Sequence, residues 1–309
     1  MPAGFALPSL ATIVAMAFMI CVTVCALAME AAVIFTPAFL FVFPSLVPGW
    51  PALTAAEAVG LSLGVEVFGY TSSVSGYWYR DQIDFTVAGK ILVITVPIAV
   101  VSRAVSFLLP SDALLLLFGF MLAGLAGVLF ESHRHGKVEY LGRIPWTRVP
   151  GTRHLESESV DDDYDARTAL RGDGGGFTFN LSDGFLMGVG GTMAGLVGIA
   201  IGEIAQTVLN VRKKVPLEIS TGTSALVLHL TIMAALLSTL GLMRFAPGLA
   251  GHAFKIPVGV LAILAPTVVV GGQVGAYINS RLSEEATIRV LISAYFLVGS
   301  FVVIRVLFL

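Results

Sequence analysis

Ala26-Leu27-Ala28-Met29-Glu30-Ala31-Ala32-Val33-Ile34 sets one carboxylate inside apolar sequence that would otherwise read as two membrane segments. A second stretch, Gly198-Ile199-Ala200-Ile201-Gly202-Glu203-Ile204-Ala205-Gln206, again places one Glu among small residues, where a long apolar run gives way to a short one. Ionisable groups at membrane depth are costly and usually face a cavity. The two stretches therefore read as matching halves of one buried site, to which the chain returns twice.

Working outward from Glu30, Pro8 to Met29 has spanning length, while Ala31 to Phe43 is shorter and ends at Pro44, Pro48 and Pro51. Thr54 to Gly76 follows, rich in Gly and Ser, with Glu57 near its start and Glu66 inside it. Helices are expected from Phe85 to Leu109 and from Ser111 to Phe130. Around Glu203 the order recurs: Leu181 to Ile201, the short Ile204 to Val211, the long Leu217 to Leu242, then Phe254 to Ile278 and Ala286 to Leu309. Spans need about 20 apolar residues, and most of these runs supply them. With 56% hydrophobic and 12% charged residues in 309, and a mean hydropathy of +0.90, the chain reads as an integral membrane protein in contact with the lipid bilayer. The short alternating segments of a transmembrane barrel are absent from the pattern.

Between the halves, Glu131 to Gly176 is polar, with the acidic run Asp161-Asp162-Asp163-Tyr164-Asp165. It reads as an extramembrane linker with room for a β-hairpin around Val138 to Trp146 and a flexible Asp173-Gly174-Gly175-Gly176. The expected division is residues 1–131 as a first transmembrane repeat, 132–178 as the linker and 179–309 as a second repeat. If the linker is cytoplasmic, only Arg103, Arg244, Lys255 and Arg305 fall on the outer side, and the remaining 14 of 18 basic residues fall inside, in agreement with the positive-inside rule. On that path Thr54 to Gly76 runs inward and Leu217 to Leu242 outward. The fold class is thus an all-α polytopic membrane protein of two inverted-topology repeats, about five helical elements each, with a broken or re-entrant element at the start of each.

At such a break the N-terminal end of a half-helix presents free N–H groups, and Glu30 and Glu203 are placed to cap or occupy those ends. Low dielectric favours the neutral acid, so both are candidates to carry a coupled proton, joined by Glu66 and by His229 on the equivalent second-half helix. Ser62, Thr223, Ser224 and Gln206 offer neutral donors for an oxyanion, with Glu30 and Glu203 as the other substrate-binding candidates. Helix–helix hydrogen bonding is the competing role for each hydroxyl and amide. Glu57, Asp183 and Glu218 read as interfacial.

Cys21 and Cys25, four apart on one helix face, read as packing residues. His133 and His135 read as solvated linker residues with no further ligand spaced to complete a metal site. No cofactor is expected. The first apolar run, preceded by no basic stretch, reads as retained and not as a cleaved signal. A net charge of −2 and a sequence pI near 6.2 point away from nucleic acid. No catalytic elbow is read: Gly60-Leu61-Ser62-Leu63-Gly64 fits Gly-x-Ser-x-Gly only by letter, inside a long apolar segment, and neither His-Glu-x-x-His nor a nucleotide-binding loop occurs, so the chain is not read as an enzyme and transport would be secondary.

At these residues the sequence resembles the sulfite exporter TauE/SafE (DUF81) family of membrane permeases. Members have two repeated halves, each opening with a Gly-x-Gly-Gly-Gly stretch leading toward a Pro, followed by a Thr-Ser motif on the next long helix. Here Ala28-Met29-Glu30-Ala31-Ala32, leading to Pro37, and Gly198 to Glu203 stand in the glycine-rich positions, with Leu61-Ser62 and Thr223-Ser224 in the Thr-Ser positions. Glu and Ala replace several glycines, which makes this site more acidic. The resemblance implies movement of sulfite, sulfonate or a related small organosulfur anion across the plasma membrane, coupled to an ion gradient. The competing readings are a membrane scaffold or accessory subunit acting through the linker, and an anion channel. Homo-oligomerisation is left open.

Overall fold

A computed structural model describes residues 5–27, 29–134, 179–213, 215–245, 257–279, 281–282 and 284–308, and among these residues the chain is all-helical. In chain order the helices are α1 (Leu7–Ala26), α2 (Ala32–Leu46), α3 (Ala55–Tyr79), α4 (Phe85–Ser106) and α5 (Ser111–Arg134). After the linker come α6 (Leu181–Val197), α7 (Ile201–Thr207, running on through the π turn Val208–Arg212), α8 (Leu217–Phe245), α9 (Val258–Asn279) and α10 (Glu284–Phe308). Six helices are long and apolar enough to cross a membrane: α1, α4, α5, α8, α9 and α10. The chain is a multi-pass membrane protein. At 25 residues α3 is equally long, and its Ser62 and Glu66 are kept from lipid by burial in the bundle.

Local sequence sets the boundaries. Pro8 sits in the first turn of α1, where its missing N–H costs nothing. Thr54 and Glu57 form a capping box at the start of α3, and Asp84 accepts the Thr86 and Val87 N–H groups, each at 3.0 Å, to start α4. α6 stops at Gly198, whose φ of 78° lies in the left-handed region that closes helices. Both short helices widen into a π turn, Ala38–Val42 in α2 directly after Pro37 and Val208–Arg212 after α7.

α1 with α2, and α6 with α7, are helical hairpins whose two ends lie together. At the open end of the first, Phe5 stacks on Trp50 at 6.5 Å, and Ser9 Oγ donates to the Pro48 carbonyl at 3.4 Å. Trp50 continues into a cluster with Phe39 and Phe43, fixing the length of α2 by aromatic packing. The open end of the second hairpin lies at the linker face, where Arg212 and Lys213 meet Asp183 at 3.2 and 2.6 Å. Both short arms, Ala32–Leu46 and residues 201–212, are shorter than the six spanning-length helices.

Asp183, expected at an interface, is at the linker face but buried beneath its two basic partners, and it also accepts the Asn180 N–H at 3.1 Å. Its carboxylate ties together both arms and the helix start. Asp183→Asn is expected to lower stability by about 2 kcal/mol, the scale of a hydrogen bond to a charged group. Thermal unfolding in detergent measures it; an unchanged midpoint would show the clamp to be idle. Glu57 is likewise at the end of its helix and mostly buried. The Glu218 and His133 side chains, His135 and the hairpin expected around Val138 to Trp146 lie outside the described residues.

Around the hairpins, α1 packs on α9 and α6 on α4, while α5 meets α10 and α3 meets α8. Close approach is bought by small residues: a Cβ on Gly275 of α9 would stand 2.7 Å from Cys25 Cβ. Arg103, wholly buried in α4, joins three helices through neutral acceptors: Nε donates to Thr239 Oγ1 at 2.8 Å, an Nη to the Ala56 carbonyl at 2.5 Å and the other to Ser106 Oγ at 3.1 Å.

Candidate functional site

The closed ends of the hairpins meet. Glu30 lies in the break between α1 and α2, and its carboxylate reaches across to the start of α7, where Oε2 accepts the Ala200 N–H at 2.6 Å and Oε1 the Gly202 N–H at 3.1 Å. Ala200 holds a φ of 82°, a conformation that side chains rarely adopt and that turns its N–H toward Glu30. Gly202 is needed for the approach, because a Cβ there would stand 3.0 Å from Glu30 Oε1. In the other half, Glu66 from α3 takes the corresponding place at the start of α2, its Oε1 accepting the Ala32 N–H at 2.8 Å. Each short helix thus opens on a carboxylate, which satisfies N–H groups that would otherwise be orphaned.

Glu203 has a different position. It is in the first turn of α7, whereas Glu30 precedes α2, so the two residues are not equivalents within their hairpins. Their carboxyl groups nevertheless face the same cavity. Tyr295 of α10 donates its hydroxyl to Glu203 Oε1 at 2.7 Å. Among the described residues no hydrogen-bond partner satisfies the buried Oε2 atoms of Glu66 and Glu203.

These three carboxyls line one cavity of about 140 Å³. Among the described residues its wall contains no Lys, Arg or His, and Ser73, Gln206, Thr221, Ser224 and Gln273 supply neutral polar groups. Tyr70, Tyr77 and Tyr295 give it an aromatic side, and Val65, Leu228 and Val268 an apolar one. Gln206 is held by its Nε2, which donates to Thr221 Oγ1 at 2.8 Å.

The sequence candidates divide here. Glu30, Glu66, Glu203, Gln206 and Ser224 are at the cavity. Ser62 is instead buried between α2 and α3, accepting from Thr36 Oγ1 at 2.9 Å, and Thr223 Oγ1 accepts the Asp84 N–H at 3.0 Å. His229 is buried away from the cavity, with no partner for Nδ1 among the described residues. The tyrosines, Gln273 and Thr221 escaped the sequence reading; the only signal was a polar atom on an otherwise apolar face.

Residues 12–302 match the family model described as Sulfite exporter TauE/SafE. The chain belongs to the sulfite exporter TauE/SafE family. No curated protein and no solved structure matches it. The TauE/SafE match runs through both helical halves and the linker between them, so the meeting hairpin tips and the cavity beneath them belong to the family domain. Membership makes this TauE/SafE protein a membrane transporter with a small sulfur anion as the family's substrate class.

Proposed function

We propose that this protein is a secondary carrier that moves sulfite, sulfonate or a related small organosulfur anion across the plasma membrane together with protons, binding it near the membrane midplane between two inverted repeats. The linker would then be cytoplasmic and the open end of the first hairpin external. Support for the inversion comes from the packing: exchanging α1 through α5 with α6 through α10 turns the α1–α9 seam into the α6–α4 seam and leaves α5–α10 and α3–α8 as they are. The meeting of the hairpin tips at Glu30 and Ala200 also supports entry from opposite faces, the arrangement expected of inverted repeats.

One observation carries the proton coupling: among the described residues the cavity holds three carboxyls, two with a buried oxygen that no donor satisfies, and no basic side chain. An anion gains nothing from ionised carboxylates at short range. When those oxygens carry protons, the same groups become donors to it. The roles then separate by geometry. Glu30 has both oxygens occupied by backbone N–H groups, whereas Glu66 and Glu203 each present a free oxygen for the exchangeable proton.

Proteoliposomes test this. Sulfite flux is expected to rise with a pH gradient and to fall at least about tenfold in Glu66→Gln and Glu203→Gln, the scale of one lost charge-assisted contact. Flux indifferent to the gradient and to both substitutions would sink the mechanism.

A further inference from the structure

The cavity holds a second set of groups that anion transport does not use. Cys21, Cys25 and Met29 follow one another at four-residue spacing down α1 and into the break, and all three line the cavity. They include both cysteines of the chain. The two sulfurs stand 4.0 Å apart as free thiols, and Cys21 Sγ–H donates to the Val268 carbonyl at 3.2 Å. On the facing helix Gly272 leaves the space beside them open: a Cβ there would stand 3.6 Å from Cys25 Sγ and 3.9 Å from Cys21 Sγ.

We propose that Cys21 and Cys25 form a binding site for a soft monovalent metal ion, Cu(I) or Ag(I), with the Met29 thioether as third ligand. Two thiolates each about 2.3 Å from one ion, at an angle of about 120°, place their sulfurs about 4 Å apart, so the pair is spaced for the ion as it stands. Thiolate and thioether sulfur select soft ions. Among the described residues no three His, Cys, Asp or Glu side chains gather to hold a metal. A four-coordinate Zn²⁺ site is therefore not built here, whereas an ion content with two or three sulfurs is accommodated. The surroundings favour positive charge: Glu30 follows Met29 in the chain, Glu66 and Glu203 share the cavity, and no cation lines it. Binding replaces two S–H bonds by two sulfur–metal bonds and releases two protons to solvent, with no change in oxidation state.

The site is independent of which anion is carried, and the test separates the two. The full chain, purified anaerobically in detergent, is titrated with Cu(I) against a chromophoric chelator and with Ag(I) by calorimetry. One ion per chain is expected, with a sulfur-only shell at about 2.3 Å in X-ray absorption. Cys21→Ser/Cys25→Ser is expected to weaken binding at least about 100-fold, Met29→Leu less, and Glu66→Gln hardly at all. The single Cys25→Ser variant, at the less buried position, gives the same reading if the double variant fails to fold. Wild-type affinity in a folded cysteine variant, or an oxygen and nitrogen shell, would overturn the proposal whatever the sulfite flux.

Discussion

Glu30→Ala is expected to abolish flux and to lower stability by several kcal/mol. The substitution removes the acceptor for two backbone N–H groups, those of Ala200 and Gly202, at a junction enclosed by protein. A buried donor left without a partner costs about 1–3 kcal/mol, so two cost about 2–6 kcal/mol if no water enters. The left-handed Ala200 adds to this, since the bond to Glu30 is part of what holds its strained backbone. Glu30→Gln keeps one acceptor oxygen and should lie between wild type and Ala. Thermal unfolding of the three proteins in detergent, run beside sulfite flux, measures both effects. An Ala variant that melts with wild type would mean that the hairpin tips are not tied through this carboxylate.

That junction also marks how far the sequence could be read. Glu30 and Glu203 stood out because a charge in an apolar run is conspicuous, and both prove to be at the cavity. Their relation was less accessible. Sequence spacing made them equivalents, but the partner of Glu30 is the backbone of the opposite hairpin, about 170 residues away. The group that takes the matching role at α2 is Glu66, from another helix. Such a relation depends on tertiary approach, which periodicity within a segment does not encode. The helices were legible for the opposite reason: length, apolarity, and stops at Pro and Gly are local properties. Even so, the sequence pattern runs the first segment on to Ile201 and starts the short one at Ile204, whereas α6 ends at Val197 and α7 begins at Ile201, because a tight left-handed turn at Gly198 to Ala200 leaves no polar gap between them.

The hydroxyls illustrate the same limit. Ser62 and Ser224 look alike in sequence, each following an apolar or Thr residue on a long helix, yet one is sealed against Thr36 and the other faces the cavity. Which side of a buried helix faces a cavity is set by its neighbours, and α3 and α8 are too uniformly apolar for a periodic pattern to tell. The shortness of α2 and α7 is legible in the sequence; the contacts that hold the open end of each hairpin, the Asp183 clamp and the Phe5–Trp50 stack, are not.

Gly195→Leu should have the other large effect, through packing alone. Gly195 of α6 lies against the backbone of α4: a Cβ there would stand 2.7 Å from Ser102 Cβ and 3.0 Å from Ala99 Cα. Neither atom can turn aside, since both belong to or adjoin the main chain of a helix. Gly191, one turn earlier, would meet the Thr95 carbonyl oxygen at 3.0 Å, so the seam has no slack along its length. Overpacking of this kind costs about 1–3 kcal/mol where side chains can shift and more where only backbone can. Here the whole hairpin arm must move away from α4, carrying with it the tip that receives Glu30. Gly184→Leu on the same helix is the control, because a Cβ at Gly184 meets nothing within 4 Å. There the change replaces a poor helix former with a good one and should leave stability level or raise it by up to about 1 kcal/mol. Folded yield from membranes and the melting temperature distinguish the two positions. Equal behaviour would mean that the α4–α6 seam tolerates separation, and close helix approach could no longer be held to position the cavity.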